Sequence, residues 1–349
     1  MSSLFDPLRV GALELPNRIV MAPMTRSRAD ADGVPLDIVA EYYAQRASAG
    51  LILSEAIYVS PMAKGYVRTP GLVTDAQLAA WRKVTDAVHA KGGRMFAQLY
   101  HTGRVALPEM LPGGVLPVAP SAIAIKGKNQ TDDGPKDFVV PRALETEEIS
   151  AVAAEFGEAA KRAMSVGFDG IEVHGASGYL VHQFLDPTIN QRDDRYGGSP
   201  ANRTRFLLEV IDNVCTAVGK DRTGLKLSPR IKFNDVQEPD AEDVYPILAK
   251  ELSARGIAYL HGAKQGGYEV HEMRGAFKGV YMAGAGFDLE KAEAALQSGA
   301  ADAIVFGKHF LANPDLPRRF RDGLELAQAD QKTVYWGGAK GYIDYPVHA

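Results

Sequence analysis

The chain alternates short apolar runs with amphipathic stretches eight times over, and this alternation narrows the folds open to it. The runs are residues 18–22, 51–56, 94–99, 169–173, 224–228, 257–261, 279–283 and 303–306. Each has strand rather than helix length and is apolar enough for burial on both faces. Helical periodicity follows most of them, near residues 37–49, 75–91, 146–165, 202–218, 241–255, 289–298 and 315–324, while the sixth run has a poorly marked sequel. Strand–helix alternation implies right-handed crossovers and a parallel sheet. Eight such units in 349 residues predict an α/β fold, an eightfold parallel β/α (TIM) barrel forming a single domain over residues 1–349. No linker divides the chain, and no fixed-period repeat appears beyond the alternation.

The one long interruption, residues 104–144, follows the third strand and is rich in Pro and Gly, with Thr131, Asp132, Asp133 and Gly134 as a turn signal. It is expected to form a small excursion, with hairpins, that covers part of the active face. The aromatic, glycine-rich tail from Tyr335 to Pro346 is expected to dock and reach back to the mouth.

Composition excludes several function classes. Hydrophobic residues make up 46% and charged residues 23%, with a net charge of -4. No basic patch dominates, so nucleic acid and anionic membrane are not expected partners. No apolar run approaches the roughly 18 residues of a membrane span. The start, Met1-Ser-Ser-Leu-Phe-Asp-Pro, lacks a charged leader with an apolar core, so a cytoplasmic location is expected. The single cysteine, Cys215, lies in an apolar helical pattern and reads as a core thiol. It rules out an internal disulfide and a cysteine cluster for zinc or iron–sulfur.

In an eightfold barrel the chemistry sits at the C-terminal ends of the strands. Strand one brings Pro23, Met24 and Thr25 there, and strand two Ala56 and Tyr58. Strand three brings Gln98, Tyr100, His101 and Arg104, and strand four His174, Ser177 and Tyr179. Strand five brings Lys226 and Ser228, strand seven Gly284, Ala285 and Gly286, and strand eight Gly307 and Lys308. His174 and Tyr179 are a hydrogen-bonding group and a weak acid on rigid scaffolding, a pattern that two satisfied loop residues would also give. Small-residue turns entering helices after strands seven and eight favour a phosphate, with Lys308 adding a charge, although such turns also occur simply as turns. No metal-ligand constellation, Gly-x-Ser-x-Gly elbow or P-loop is present. Gln98, Thr25 and His174 suit a heteroaromatic ring better than a metal, so an organic phosphate cofactor is expected.

With these residues in place, the chain resembles the Old Yellow Enzyme family of FMN-dependent ene-reductases over essentially its whole length. The resemblance rests on Leu4-Phe-Asp-Pro-Leu-Arg-Val-Gly, Leu15-Pro-Asn-Arg-Ile-Val-Met-Ala-Pro-Met-Thr-Arg26 and Gln98-Leu-Tyr-His-Thr-Gly-Arg104. It continues through residues 174–198, Phe306-Gly-Lys308 and Ala312-Asn-Pro-Asp-Leu316. It is nearest the bacterial branch with N-ethylmaleimide, nitroester and morphinone reductases.

The resemblance implies FMN as cofactor and NADPH or NADH as reductant. It implies reduction of the C=C bond of small activated alkenes (enones, maleimides, nitro compounds) by hydride and then proton transfer, in a monomer or weak homodimer. Thr25, Gln98 and Ala56 would contact the flavin ring, Pro23 and Met24 would line it, and Lys226 would lie at its pyrimidine edge. Ala285, Gly286, Gly307 and Lys308 would hold the phosphate. His174 would bind the activating oxygen, Tyr179 would deliver the proton, and Tyr66, Tyr100 and Tyr342 would shape the substrate pocket.

Three positions depart from the family pattern. Ser177 stands where the pattern has Asn or His as second donor, and Lys226 and Lys308 stand where it has Arg. The departure at Ser177 keeps open a turnover-impaired FMN-binding protein, or a barrel reductase with a quinone or nitroester as acceptor. Lys226 keeps open a Schiff-base chemistry on the same barrel.

Overall fold

The computed structural model describes residues 2–263 and 271–348. The eight strands are β1 (Ile19–Met21), β2 (Leu51–Tyr58), β3 (Met95–Tyr100), β4 (Gly170–Gly175), β5 (Thr223–Leu227), β6 (Tyr259–Ala263), β7 (Val280–Gly284) and β8 (Ala303–Phe306). They form a closed barrel in chain order, with every neighbouring pair parallel and β8 pairing β1 through Phe306 and Met21. Around it run α1 (Ile38–Ala44), α2 (Asp75–His89), α3 (Thr146–Ser165), α4 (Pro200–Val218), α5 (Ala241–Arg255), α6 (His271–Ala276), α7 (Leu289–Gln297) and α8 (Leu316–Asp322).

Local chemistry sets the helix boundaries. Thr74 caps α2 in a reciprocal pair with Gln77. Ser199 accepts the Asn202 N–H ahead of α4, and Pro200 fills its first turn. Ile149, Ala153, Phe156, Ala160 and Ala163 recur at helical spacing and are the buried stripe of α3. Gly256, at φ +66°, ends α5 in the left-handed conformation that glycine adopts without a Cβ penalty.

The N-terminal end of the barrel carries an unpredicted feature. Strands Leu8–Val10 and Leu13–Leu15 pair as a hairpin. Its Val10 and Leu15 pack with Val20, Leu53, Phe96 and Tyr259 and close that end. The Ala12 N–H donates to the Asp221 carbonyl just before β5. Gly170 and Gly224 make room for the interior aromatics: a Cβ there would come within 2.3 Å of the Phe96 ring and 2.2 Å of the Tyr259 ring.

Several boundaries differ from expectation, among them α1, which ends at Ala44 rather than near residue 49. The stretch after β8 divides into a short helix, Lys308–Ala312, and α8, because Asn313 precedes Pro314 and the residue before a proline is pushed away from helical geometry. Strands β2 and β4 run two residues further than their apolar runs, and His174 lies at the C-terminal end of β4, as expected. In the excursion, Lys128–Thr131 and Gly134–Asp137 form a hairpin and Val118–Ala119 pairs with Arg142–Ala143. Among the described residues no helix is long and apolar enough to cross a membrane.

Candidate active site

Strand register assembles the site. Gln98 on β3 is level with Glu172 on β4, and His174 is level with Lys226 on β5, which is level with His261 on β6. Glu172 and His174 share one face of β4, since side chains alternate along a strand. Glu172 is fully buried and acts as a hub. It accepts hydrogen bonds from Gln98 Nε2 at 2.7 Å and from the Tyr259 hydroxyl at 3.1 Å, and pairs with His261 Nδ1 at 3.0 Å. Neither Glu172 nor His261 was singled out from the sequence. The available signal was the spacing of two, which places Glu172 on the same face as His174.

His174 is buried, and its Nδ1 accepts the Ala176 N–H at 3.2 Å. That assigns the proton to Nε2. Burial, reinforced by the charge of Lys226, holds its pKa well below that of an ordinary histidine, so the ring is a neutral donor. Tyr179 lies against it, with ring centroids 4.8 Å apart, and donates its hydroxyl proton to the Tyr66 oxygen at 3.2 Å. Burial, with Tyr66 and Tyr100 alongside, raises the Tyr179 pKa well above that of a free phenol. Tyr100 packs beneath both, its centroid 5.4 Å from Tyr179 and 6.3 Å from His174.

Ser177 sits in the left-handed region at φ +59°. Its N–H donates to Ser228 Oγ at 2.9 Å, and its carbonyl accepts from Asn234 Nδ2 at 2.8 Å. Only its hydroxyl is left to meet a ligand.

A cavity of about 510 Å³ opens beside this cluster and is lined by Lys226, Ala285, Gly286, Gly307 and Lys308 as expected, and also by His261, Asp288 and His309. Its residues fit FMN. Ala285 and Gly286 turn through φ +69° and +81°, and a Cβ on Gly286 would meet nothing within 4 Å. Lys308 opens a short helix whose first N–H groups have no intrahelical partner. Neither the Lys226 nor the Lys308 side chain makes a hydrogen bond or ion pair with the described residues, so each ammonium is free to meet an acceptor in the cavity. Burial lowers the Lys226 pKa, and Glu172 opposes that effect. Ala56 is level with Gln98 across β2 and β3, and the Met24 sulfur lies 3.5 Å from where a Gly307 Cβ would be, which brings strands one, two, three and eight to one place.

A second pocket, of about 240 Å³, is lined by Thr25, Tyr66 and Tyr179 together with Asn129, Phe233, Tyr335 and Trp336. The tail and the excursion both reach it. Tyr342, expected here, is elsewhere. It is fully buried and stacked flat on Tyr42, centroids 4.1 Å apart, with the Arg26 and Arg28 guanidiniums 4.9 and 4.4 Å from its ring. The tail's contribution to the pocket is Tyr335 and Trp336, and Tyr342 is its anchor.

The geometry has clear relatives. The model of the NADH:flavin oxidoreductase / NADH oxidase family matches residues 3–327. A probable flavin mononucleotide-dependent alkene reductase of Leishmania infantum is 42% identical over 355 residues, covering 98% of this chain and 97% of that protein. The 12-oxophytodienoate reductase 1 of Oryza sativa subsp. japonica is 39% identical over 356 residues, covering 98% of this chain and 92% of its own. Among solved structures, morphinone reductase in complex with tetrahydroNAD superposes with a TM-score of 0.97 at 46% identity, covering 100% of this chain and 98% of that one. The old yellow enzyme homologue from Zymomonas mobilis gives 0.96 at 43% identity, covering 99% of each chain. A closed parallel barrel, a site at its strand ends and similarity along the whole chain lead to one conclusion: the protein belongs to the NADH:flavin oxidoreductase / NADH oxidase family, the Old Yellow Enzyme family.

Proposed function

We propose that the protein reduces the C=C bond of small activated alkenes with NADPH or NADH, using FMN held in the larger cavity. The observation that carries this reading is the contact of a neutral imidazole donor, His174, with a phenol, Tyr179, at the strand ends beside that cavity. When bound, FMN supplies the hydride chemistry, accepting from a nicotinamide and giving to the β-carbon of the alkene. Lys308 and the amides of the Gly286 and Gly307 turns would hold its phosphate, and Thr25, Ala56, Gln98 and Lys226 would meet its ring.

The remaining work falls to side chains. His174 Nε2–H donates to the carbonyl or nitro oxygen of the substrate, where negative charge develops. Its depressed pKa keeps the ring a neutral donor across the physiological range. Tyr179 gives its hydroxyl proton to the α-carbon, and Tyr66, whose oxygen accepts that proton's hydrogen bond, orients it beforehand. Gln98 is fixed by Glu172 from below, so it meets the ring preorganised. The pocket takes the substrate and the nicotinamide in turn. The setting proposed is the reducing cytoplasm, where the one free thiol, Cys215, is compatible.

A flavin protein impaired in turnover is not favoured, because a relative similar along the whole chain is named a probable flavin mononucleotide-dependent alkene reductase. Tyr179→Phe tests the reading. It is expected to lower kcat for cyclohexenone by about 10²-fold or more, the usual worth of a positioned acid. Anaerobic reduction by NADPH should proceed at nearly the parental rate. Equal losses in both half-reactions would contradict the assignment.

A further inference from the structure

The turn that carries Tyr179 is held almost entirely by side chains. It leads from His174 to Tyr179 and continues into the one-turn helix Leu180–Gln183. At its centre is the peptide joining Ser177 and Gly178. The carbonyl of that peptide accepts from Asn234 Nδ2 at 2.8 Å, and its N–H donates to His182 Nδ1 at 3.0 Å. On either side, the Ser177 N–H donates to Ser228 Oγ at 2.9 Å and the Gly178 carbonyl accepts from Gln183 Nε2 at 2.8 Å. Four consecutive backbone groups are therefore fixed by side chains, where secondary structure would ordinarily pair them.

His182 is in turn held by Glu238. The imidazole is fully buried, and since Nδ1 accepts, the ring proton lies on Nε2 and is donated to Glu238 Oε1 at 2.9 Å. Glu238 is buried and also accepts from the Tyr245 hydroxyl on α5 and from the Arg230 N–H. Burial works against its charge, but His182, Tyr245 and the Arg230 N–H together outweigh burial and hold its pKa below the ordinary glutamate value. Ser228, Asn234 and Glu238 all lie between β5 and α5. That connection has four non-glycine residues at positive φ: Arg230, Asn234, Asp235 and Glu238, at +53°, +55°, +58° and +44°. Such conformations persist where the surroundings over-determine them, and they cluster at functional sites. A Cβ on Gly178 would come within 2.7 Å of Asn234 Cβ and 3.1 Å of the Val236 side chain, so the connection presses directly on the turn.

Building on the ene-reductase reading, we propose that His182 and Glu238 are positioning residues for the proton donor, holding the Tyr179 phenol against His174 and Tyr66 through the Ser177–Gly178 peptide. Neither side chain lines the cofactor cavity or the substrate pocket. Glu238 orients His182, His182 fixes the Gly178 N–H, and the turn sets where the Tyr179 side chain begins. A misplacement of about 1 Å can cost as much as ~10²-fold in a positioned reaction. The pair therefore acts on the step in which Tyr179 gives its proton and not on reduction by the nicotinamide.

The test separates the two ring nitrogens. Gln at position 182 still reaches Glu238 with a donor but has no acceptor where Nδ1 was. Asn places an amide oxygen there but does not reach Glu238. In the FMN-loaded enzyme, His182→Gln is expected to slow reoxidation by cyclohexenone about tenfold and to leave reduction by NADPH within about twofold of the parent. His182→Asn should recover most of the loss. In a Tyr179→Phe background His182→Gln should cost nothing further, because the group it positions is gone. Equal losses in the two half-reactions, or the same tenfold loss on top of Tyr179→Phe, overturn the proposal and leave the pair a staple of the fold. Asn234→Gly suits the local φ and releases the carbonyl of the same peptide. It should show the same pattern, and it decides the matter if His182→Gln does not fold. Nitrogen-15 NMR of the histidine rings, with the His182→Asn spectrum as assignment, should show His182 with its proton on Nε2. A proton on Nδ1 overturns the proposal independently of turnover. A parent enzyme that cyclohexenone fails to reoxidise removes the ene-reductase reading itself, an outcome distinct from a working enzyme indifferent to His182.

Discussion

Ser177 is where single-residue chemistry is most exposed. Its backbone is fully engaged by Ser228 and Asn234, and its φ of +59° is one that Asn adopts more readily than most residues. An Asn there would add an amide donor beside His174 with no backbone penalty. Ser177→Asn is therefore expected to raise kcat/KM on cyclohexenone by about tenfold, the worth of one neutral hydrogen bond of ~1–1.5 kcal/mol. Steady-state kinetics decide it, and an unchanged or lower value would show that the hydroxyl, directly or through a water, already does the work. At this scale the sequence was legible for His174 and Tyr179 because they follow an apolar run. It was not legible for Glu172: a carboxylate within a buried strand makes sense only once Gln98, Tyr259 and His261 converge on it.

At the scale of elements, strand ends carry buried groups whose protonation couples to stability. His101 follows β3 and is buried, its Nδ1 accepts the Gly103 N–H at 3.0 Å, and burial pushes its pKa down to about 3. The unfolded chain binds this proton near pH 6.5, so the contribution is present above that pH and is lost as the pH falls toward the folded value. Between pH 6.5 and 5 the loss from this one residue is expected to be on the order of 2 kcal/mol. Urea unfolding at the two pH values should show a steeper loss for the parent than for His101→Asn, and equal losses would contradict the account.

The tail is a second such element. Arg26 donates to the Val334 and Gly341 carbonyls, and Tyr342 stacks on Tyr42. Tyr342→Ala should destabilise the protein by about 3 kcal/mol or more, as large aromatic truncations in a core do, and should raise KM by loosening Tyr335 and Trp336. A lowered Tm with an unchanged KM would separate the anchor from the pocket. The sequence predicted that the tail returns to the mouth but not which aromatic faces in, because Tyr335, Trp336 and Tyr342 differ only in what packs behind them. Helices α3 and α5 matched expectation because long periodic patterns are self-defining, whereas the three-residue strands of the N-terminal hairpin carry too few residues for a period to show.

The whole molecule is a barrel whose closed end is sealed by the N-terminal hairpin and whose open end collects a cofactor cavity, an acid and a donor. In the proposed reading its phosphate end would rely on a lysine, which keeps the charge but lacks the two-pronged geometry of arginine. Lys308→Arg is expected to tighten FMN binding by about tenfold in a flavin fluorescence titration, and no change would mean that the turn amides dominate. In the proposed function this open end runs a complete ene-reduction. The most direct measurement is anaerobic: the visible spectrum of the FMN-loaded protein, then with NADPH, then with cyclohexenone. The flavin band is expected to bleach with NADPH and to return with the enone. A band that bleaches and stays bleached would contradict it, leaving a flavoprotein whose acceptor is something other than an activated alkene.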